Sequence, residues 1–418
     1  MVLAMITAGT VVGMAVAELA LRVIGFSSLP AGIFFMADPY TGWSNRPGAS
    51  GTWSWEGVAP VSINSRGLRD VERSIEKPPG TLRIAVLGDS FVAAFQVPQD
   101  SDFCSVIERT MRACGGLDGR KPEVLNFGVN AYGTGQELLT LEHRVWQYSP
   151  DVVVLAYFPN DVFDDSEVLQ KKSQSDLGDP RPFFHYSSGQ LVEDDSFLRT
   201  PRFQAALKET GDPDSAFGEG FHRWLWKLRL WQLISRLRPA PQARHPEEPL
   251  LLNAPADDDW KNAWQITEGL ISRFNREVRS HGARFMLAIV THSLQVYPGA
   301  EARGAMLQKA GVSDVFYVNR RLEALGQREG FPVVSLAEPM QQYADAHQVF
   351  FHGFPRTGLG IGHWNEQGHL MAGQSIAAAI CAMLSGQRAQ APATVRASRE
   401  GIVTAGHPQP PAPSAILP

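Results

Sequence analysis

The sequence predicts an α/β fold in which helices cover both faces of a parallel β-sheet. Five short apolar runs have the composition of buried strands, at 83–87, 123–127, 151–158, 284–290 and 331–336. Segments of helical length and pattern alternate with them, at 101–113, 135–148, 261–280, 314–329 and 365–385. Strands that alternate with helices in this way favour a parallel sheet between two helical layers.

The individual elements have clear local signals. The run Arg-Ile-Ala-Val-Leu at 83–87 ends at Gly88, and the run at 123–127 leads into the glycine-rich segment Gly-Val-Asn-Ala-Tyr-Gly-Thr-Gly. The run at 151–158 is strongly β-branched, as buried strands are. The helix predicted at 261–280 leads into the fourth run, and the helix at 314–329 leads into the fifth.

The alternation stops between about 164 and 260, where the chain is polar, interrupted by proline and rich in tryptophan. We interpret residues 166–265 as an insertion, mainly helical, into one domain formed by 81–165 and 266–385. Residues 27–80 (the leader) are rich in Gly, Pro, Ser and Trp and are predicted to be extended and to pack on the core. Residues 386–418 are rich in Ala, Pro and Gln and are predicted to be disordered.

The N-terminal segment is predicted to be a membrane anchor. Residues 1–17 carry no charge, and Glu18 and Arg22 follow at a spacing that lets them pair on a helix. A signal peptide normally has a basic start and a small-residue cleavage site, and neither is present before the apolar run ends. We therefore expect an uncleaved anchor helix at 1–26, with a cleaved signal or a buried helix as alternatives. The expected side for the catalytic domain is extracytoplasmic, although Arg22 alone does not determine the orientation of the helix.

The segment 221–238, which has five basic residues, no acidic residue and three tryptophans, has two interpretations. Such a helix can lie on a membrane surface. The alternative is a helix that packs its tryptophans onto the core and leaves its basic residues in solvent.

Composition excludes several classes of protein. The chain has 418 residues, of which 44% are apolar and 19% charged, so disorder throughout, collagen and coiled coils are excluded. A mean hydropathy of -0.15 excludes a multi-pass membrane protein. The net charge of -5 gives no reason to expect a nucleic-acid partner. The three cysteines, Cys104, Cys114 and Cys381, have no metal-type spacing and are interpreted as small buried residues.

The candidate nucleophile is Ser90, in Gly88-Asp89-Ser90 directly after the first strand. Open α/β sheets place their sites at this edge, and the start of the next helix favours developing negative charge. Asp89 is expected to bond nearby backbone and fix this turn. Helix capping is the alternative role for a serine here.

Two further segments supply hydrogen-bond donors for an oxyanion. The loop from Asn126 to Gly135 can direct backbone N–H groups at it, and Asn160 at the end of the third strand offers a side-chain amide. Asp161 is expected to cap the following turn.

A base is predicted near the C-terminus, in Gly362-His363-Trp364-Asn365. His363 lies in a glycine-rich segment, interpreted as a loop, before the last helix, where a neutral imidazole is free to activate a serine. His369 is expected inside that helix, and His352 could lie at the rim of the pocket. The sequence shows no metal or cofactor site.

These segments in this order resemble the SGNH/GDSL hydrolase superfamily, whose blocks are a Gly-Asp-Ser serine, a glycine loop, an asparagine and a late histidine. The segments at 63–70 and 83–92 resemble bacterial members with an N-terminal anchor. The resemblance implies a flavodoxin-like three-layer α/β/α domain, Ser90 as nucleophile and His363 as base and then acid. It implies three oxyanion donors, namely the Ser90 N–H, a loop N–H and the Asn160 side chain. The loop donor aligns with Ala131, with Gly133 and Gly128 as the other candidates.

The sequence departs from the family pattern at the catalytic histidine. The family usually has an aspartate two or three residues before it, where this chain has Gly360 and Ile361. Three interpretations stay open: a backbone carbonyl orients His363, a carboxylate elsewhere, for example in the insertion, replaces the aspartate, or the site is inactive. Pro159 also replaces a glycine that often precedes the asparagine.

The expected function is a serine esterase or O-acyltransferase that forms an acyl-serine, acting on acetyl esters of an envelope or exported polysaccharide. The tryptophan-rich segments favour a glycan substrate because aromatic rings stack on sugars. The alternatives are a lipid-ester hydrolase and an inactive glycan-binding assembly protein of the envelope.

Overall fold

The computed structural model describes residues 1–24, 31–173, 180–210, 225, 228–237 and 248–386. The strands in chain order are β1 (Phe35–Asp38), β2 (Gly42–Asn45), β3 (Ser50–Trp53), β4 (Ala59–Ser62), β5 (Thr81–Gly88), β6 (Lys121–Asn126), β7 (Val152–Tyr157), β8 (Phe183–Ser187), β9 (Gln190–Asp194), β10 (Arg284–Ile289), β11 (Val333–Ser335), β12 (His352–Phe354) and β13 (Gly358–Trp364).

The α-helices in chain order are α1 (Val2–Val23), α2 (Ser90–Ala93), α3 (Phe103–Met111), α4 (Thr134–Thr140), α5 (Asp161–Asp164), α6 (Glu167–Lys172), α7 (Pro201–Glu209), α8 (Arg229–Leu237), α9 (Glu248–Leu252), α10 (Asp258–Ser280), α11 (Ser293–Val296), α12 (Ala300–Ala310), α13 (Tyr317–Glu329), α14 (Ala337–His347) and α15 (Glu366–Leu384).

The centre of the molecule is a five-stranded sheet with the order β11-β10-β7-β5-β6. Every neighbouring pair is parallel. Counted along the chain, the order is 2-1-3-4-5, which is the flavodoxin-like arrangement. The predicted α/β fold class is therefore confirmed, and all five predicted strands belong to this sheet.

Two apolar cores lie on the two faces of the sheet. One joins Leu138 of α4 and Leu270 of α10 to strand residues such as Leu155. The other joins Ile107 of α3 and Ile376 of α15 to the opposite face of the strands. Strand side chains alternate between the faces, so strands covered by helices on both sides are apolar throughout their length. This is the three-layer arrangement.

Some predicted elements differ in detail. The helix predicted at 135–148 is α4 followed by a π-helical segment at Leu141–Val145 and a 3-10 turn at Trp146–Tyr148. Helices α12 and α14 were not predicted. The side chains of α12 are largely exposed, and α14 buries only Ala337, Met340 and Ala344, so neither gives a strong apolar period. Helix α10 begins at Asp258, whose preceding residue caps the helix through its carboxylate.

The leader contains two antiparallel hairpins, β1–β2 and β3–β4. Its apolar side chains, including Phe34 and Val61, pack with Ala93 and Phe95 next to the short helix that begins at Ser90. The leader therefore covers the sheet edge where the candidate nucleophile lies.

The insertion region contains a β8–β9 hairpin in addition to helices. Of the basic segment at 221–238, the structure describes residue 225 and residues 228–237, which include α8. The predicted tail at 386–418 lies outside the described residues except for Gly386.

The N-terminal helix is long and apolar enough to span a membrane over Met5–Val23, and none of that span is buried. At its C-terminal end, the Glu18 carboxylate accepts hydrogen bonds from the backbone N–H groups of Arg229 and Leu230 at 3.0 and 2.9 Å. These N–H groups belong to the first turn of α8, where a helix has no internal acceptor for them.

Two cysteines are joined in a disulfide, so their interpretation as small buried residues is wrong. Cys114 and Cys381 form a disulfide across 267 residues, which ties the segment after α3 to α15. Helices α3 and α15 pack closely, and this brings the two side chains together although nothing in their spacing indicates it. Cys104 is a free, buried thiol, as predicted.

Candidate active site

The candidate nucleophile lies where the first sheet strand ends. Strand β5 ends at Gly88, and Ser90 begins α2. The Asp89 carboxylate accepts the Phe91 backbone N–H at 2.9 Å, so it caps this short helix and fixes the turn as predicted. Burial raises the pKa of Asp89 to about 6 although the Phe91 N–H and the nearby His363 act in the opposite direction.

Ser90 and His363 are in hydrogen-bonding contact. The Ser90 Oγ lies 2.7 Å from the His363 Nε2. The Phe91 ring packs against the imidazole with 4.9 Å between ring centres. The structure therefore brings together two residues that are 273 positions apart in the chain.

A carboxylate completes this chain of contacts. The His363 Nδ1 lies 2.9 Å from the Glu56 Oε2, and the same oxygen accepts the His363 backbone N–H at 3.0 Å. The interpretation in which a backbone carbonyl orients His363 is thus wrong. A carboxylate from elsewhere in the chain replaces the family's aspartate, and it comes from the leader and not from the insertion.

Glu56 also determines the protonation of the imidazole. A carboxylate beside Nδ1 places the ring proton there and leaves Nε2 to accept the Ser90 hydroxyl proton. Burial alone would lower the pKa of His363, but the hydrogen bond and charge of Glu56 outweigh it and raise this pKa above its ordinary value. In return, the hydrogen bond and charge of His363 lower the pKa of Glu56 against the effect of burial.

A glycine makes room for this carboxylate. A Cβ atom at Gly362 would lie 2.9–3.1 Å from the Glu56 carboxyl group, and Gly362 has a φ of +77°. His363 itself lies in strand β13 of a hairpin with β12, so its prediction as a loop residue was wrong. The many glycines of this segment suggested a loop, whereas positive φ angles at Gly360 and Gly362 allow an irregular strand.

Two further histidines near the site, His352 and His369, are structural. His352 is buried rather than at the pocket rim, and its ring contacts Thr291 at 2.9 Å and the Gly362 carbonyl at 2.6 Å. His369 is buried inside α15 and stacks on Phe103. Burial lowers the pKa of each to about 3, so both are neutral at pH 7.

The candidate oxyanion loop (residues 128–133) lies beside the Ser90 helix. The Val129 N–H donates to the Gly88 carbonyl at 3.1 Å, and the Asn126 side chain donates to the Val92 carbonyl at 2.7 Å.

Ala131 is exposed and has a φ of +63°. Within the described ranges, its N–H and that of Ser90 donate to no protein atom, so both remain available to a ligand.

The other two loop candidates are engaged. The Gly128 N–H donates to the Asn126 Oδ1 at 2.9 Å, and the Gly133 N–H donates to the Gln136 Oε1 at 3.3 Å. Of the three loop positions considered, the geometry favours Ala131.

Asn160 precedes helix α5 at the end of β7, next to β5 in the sheet. Its amide donates to the Asp164 Oδ2 at 2.9 Å. An amide nitrogen carries two hydrogens, so one remains for an oxyanion.

A group of buried carboxyls lies behind these residues. Asp161 accepts the Phe158 N–H at 3.3 Å, and Asp165 accepts the Gly135 N–H and the Thr267 hydroxyl at 2.9 and 2.7 Å. Burial raises the pKa of Asp165 to about 7, and burial with mutual repulsion raises the pKa values of Glu137 and Asp161 well above their ordinary values. These carboxyls consequently keep their protons to higher pH than exposed carboxyls do.

A separate cavity of about 850 Å³ lies between the β8–β9 hairpin, α10 and α13. None of the candidate catalytic residues lines it. Many of its charged groups bind one another or nearby side chains, as in Arg321–Glu268 and Arg273–Glu142.

No protein-family model matches the sequence, and no curated protein matches it significantly. Several solved structures match this chain at low identity and low TM-score. The acetyl xylan esterase AlAXEase has 11% identity and a TM-score of 0.34, over 72% of this chain and all of the other. A G-D-S-L-family lipolytic protein from Desulfitobacterium hafniense has 10% identity and a TM-score of 0.32, over 71% of this chain and 98% of the other. A two-domain esterase active on acetylated mannans has 11% identity and a TM-score of 0.35, over 75% of this chain and 52% of the other.

Proposed function

We propose that this chain is a serine esterase or O-acyltransferase of the SGNH/GDSL type, with Ser90 as nucleophile, His363 as base and Glu56 as the carboxylate that orients it. The observation that carries the proposal is the continuous contact from Glu56 through His363 to Ser90, with distances of 2.9 and 2.7 Å. Nucleophile, base and orienting group in this order are the arrangement that activates a serine hydroxyl.

In the first half-reaction, the Ser90 Oγ attacks the ester carbonyl carbon while its proton moves to the His363 Nε2. The carbonyl oxygen becomes an oxyanion, and the proposed donors to it are the N–H groups of Ser90 and Ala131 and the Asn160 amide. The tetrahedral intermediate then breaks its bond to the alcohol oxygen, which takes the proton from His363. The products are a free alcohol and an acyl-serine.

In the second half-reaction, water or a sugar hydroxyl attacks the acyl-serine and gives its proton to His363. Collapse of the second tetrahedral intermediate returns that proton to Ser90. Water as acceptor gives a carboxylic acid, whereas a sugar hydroxyl gives a new ester. Hydrolysis and transfer share the first half-reaction and the same catalytic residues.

The proposed substrate is an acetyl ester of an envelope or exported polysaccharide. Trp55, directly before Glu56 in the chain, is 54% exposed and stacks on Trp53 with 5.9 Å between ring centres. An exposed indole next in sequence to the catalytic carboxylate favours a glycan, because aromatic rings stack on sugars. A lipid ester is the second candidate. It is favoured by Leu359 and Ile361, which are 48% and 51% exposed on the strand that carries His363.

The proposed location is the extracytoplasmic side of a membrane, with α1 as the anchor. The Cys114–Cys381 disulfide supports this side, because disulfides persist in oxidising compartments and are rare in the cytosol. Glycan binding without catalysis was considered because a carboxylate for His363 was missing from the sequence pattern, and Glu56 removes that reason.

The test uses the full-length protein in detergent with a fluorophosphonate probe, which reacts with activated serines. We expect labelling of the wild type and none of Ser90→Ala. His363→Ala should abolish p-nitrophenyl acetate turnover, and His369→Ala should keep it if the protein folds. A folded wild type that is neither labelled nor active would refute the enzyme proposal. Comparison of acetyl with longer acyl esters then separates the glycan acetate from the lipid ester.

A further inference from the structure

The peptide that carries the Ala131 N–H is fixed by a side chain of the leader. The Trp43 Nε1 donates a hydrogen bond to the Asn130 carbonyl at 3.0 Å. This carbonyl and the Ala131 N–H belong to one peptide group, and the described chain has no cis peptide bonds. In a trans peptide the C=O and N–H point in opposite directions. The indole therefore determines the direction in which the Ala131 N–H points.

A buried arginine fixes the next peptide and the second donor. The Arg181 guanidinium, 5% exposed, donates to the Ala131 carbonyl at 3.2 Å and lies 5.0 Å above the Trp43 ring. It also donates to the Asp164 Oδ1 at 3.2 Å, while the other oxygen of Asp164 holds the Asn160 amide. One guanidinium is thus connected to both the loop donor and the side-chain donor.

Such support is needed at Ala131. Its φ of +63° lies in the left-handed region, which is unfavourable for residues with a Cβ atom. Such a residue keeps this conformation only where surrounding contacts hold the backbone. The leader supplies a further contact, in which the Asn45 amide donates to the Gly128 carbonyl at 2.9 Å. The loop is held from outside the α/β domain.

We propose that Trp43 and Arg181 are positioning residues of the oxyanion hole. Trp43 orients the Ala131 N–H through its hydrogen bond to the Asn130 carbonyl. Arg181 connects Ala131 to Asn160 by hydrogen bonds that pass through Asp164. This inference rests on the proposed function. Neither residue acts on the substrate itself. Their effect is expected on transition-state stabilisation, because the oxyanion exists only after the serine has attacked.

The first test is Trp43→Phe, which keeps an aromatic ring against Arg181 and removes the indole N–H. Loss of an oxyanion donor costs about 10²–10³ in kcat. In Trp43→Phe the Ala131 N–H remains but is less well oriented. We therefore expect kcat for p-nitrophenyl acetate to fall about tenfold, with KM within about twofold of wild type. A trifluoromethyl ketone, which forms an oxyanion when Ser90 adds to its carbonyl, should bind more weakly by the same factor.

The matched control is Trp53→Phe in the same leader. Trp53 is buried, and within the described part of the chain its Nε1 has no hydrogen-bond partner. Removing this N–H should change neither kcat nor ketone affinity. Arg181→Lys is the second variant. It keeps the charge but not the fork that spans Ala131 and Asp164, so we expect the same kcat-selective loss.

The outcomes separate this inference from the proposed function. If the wild type is labelled at Ser90 and Trp43→Phe and Arg181→Lys match it in kcat and ketone affinity, the positioning role is refuted while the enzyme proposal remains. A parallel loss in kcat and ketone affinity at unchanged Tm supports the role. A rise in KM alone, or an equal loss in Trp53→Phe, also overturns it. A folded wild type without labelling or turnover refutes the proposed function and this inference together.

Discussion

Replacement of Glu56 by glutamine tests how the carboxylate acts on His363. In a serine hydrolase, an amide in place of the carboxylate can turn its NH₂ toward the imidazole and impose the wrong tautomer, at a cost of about 10⁴ in kcat. In this protein the same Glu56 oxygen also accepts the His363 backbone N–H at 3.0 Å. That N–H requires an acceptor, so we expect it to hold the glutamine carbonyl oxygen in this position and preserve the tautomer.

The loss of activity expected for Glu56→Gln then comes only from the missing negative charge. A positive charge forms on His363 only as Ser90 is deprotonated, and two unit charges 2.9 Å apart attract by about 6 kcal/mol at an effective dielectric constant of about 20 and about 1.4 kcal/mol in water. Both side chains are 27% exposed, so we take an intermediate value of about 2–3 kcal/mol. This corresponds to a fall in kcat/KM of about 30- to 150-fold for Glu56→Gln. Glu56→Ala also loses the orientation and should fall about 10⁴-fold.

The assay is p-nitrophenyl acetate hydrolysis across pH, with Glu72→Gln as the control, because Glu72 is an exposed leader carboxylate that binds Ser65. His363 acts as a base only when neutral and its pKa is raised, so wild-type kcat/KM should fall as the pH drops through a value above 6.5. In Glu56→Gln, which lacks the negative charge, this fall in kcat/KM should occur at a lower pH than in the wild type. Wild-type activity in Glu56→Gln, or a loss as large as that of Glu56→Ala, would refute the reasoning.

Three other changes have expected outcomes that the structure makes specific. Gly362→Ala should displace the orienting carboxylate and lower kcat/KM at least about tenfold, whereas Gly304→Ala, with open space around it, should not; equal activities would contradict the close approach. Folding holds a proton on Glu137 that the unfolded chain releases above about pH 4.5, so stability falls as the pH rises toward the folded-state pKa. Glu137→Gln should therefore raise Tm by about 2–4 °C at pH 8 and little at pH 4.5 in thermal melts, and a pH-independent effect would exclude this cause. Cys381→Ser should lower the free energy of unfolding by about 2–4 kcal/mol in urea titrations, and reductant should destabilise only the wild type if Cys114 is paired as described.

The sheet was predictable because its strands carry their signal locally. The strand Val152–Tyr157, for example, is buried on both faces of the sheet. A strand buried in this way must be apolar at every position, and a stretch of six residues is enough to recognise that pattern. The positions of Ser90 and Asn160 follow from the same signal, since each comes directly after a strand end.

Glu56 was not predictable in the same way. It lies in an irregular segment of the leader, 307 residues from His363, and contact at that separation leaves no local periodicity. The available signal was indirect: Gly362 has no side chain beside the histidine, which leaves space for a carboxylate from elsewhere. The Cys114–Cys381 pairing was missed for the same reason, since it depends on the packing of α3 against α15.

The central claim is that an acyl group is carried by Ser90. The most direct measurement is rapid acid quenching of the full-length protein with p-nitrophenyl acetate, followed by mass spectrometry of the tryptic peptide of residues 84–109. We predict one acetyl group on this peptide, placed on Ser90 by fragmentation, and its accumulation when deacylation is slowed. Steady turnover without acetylated Ser90, or with the acetyl group on another residue, would contradict the account.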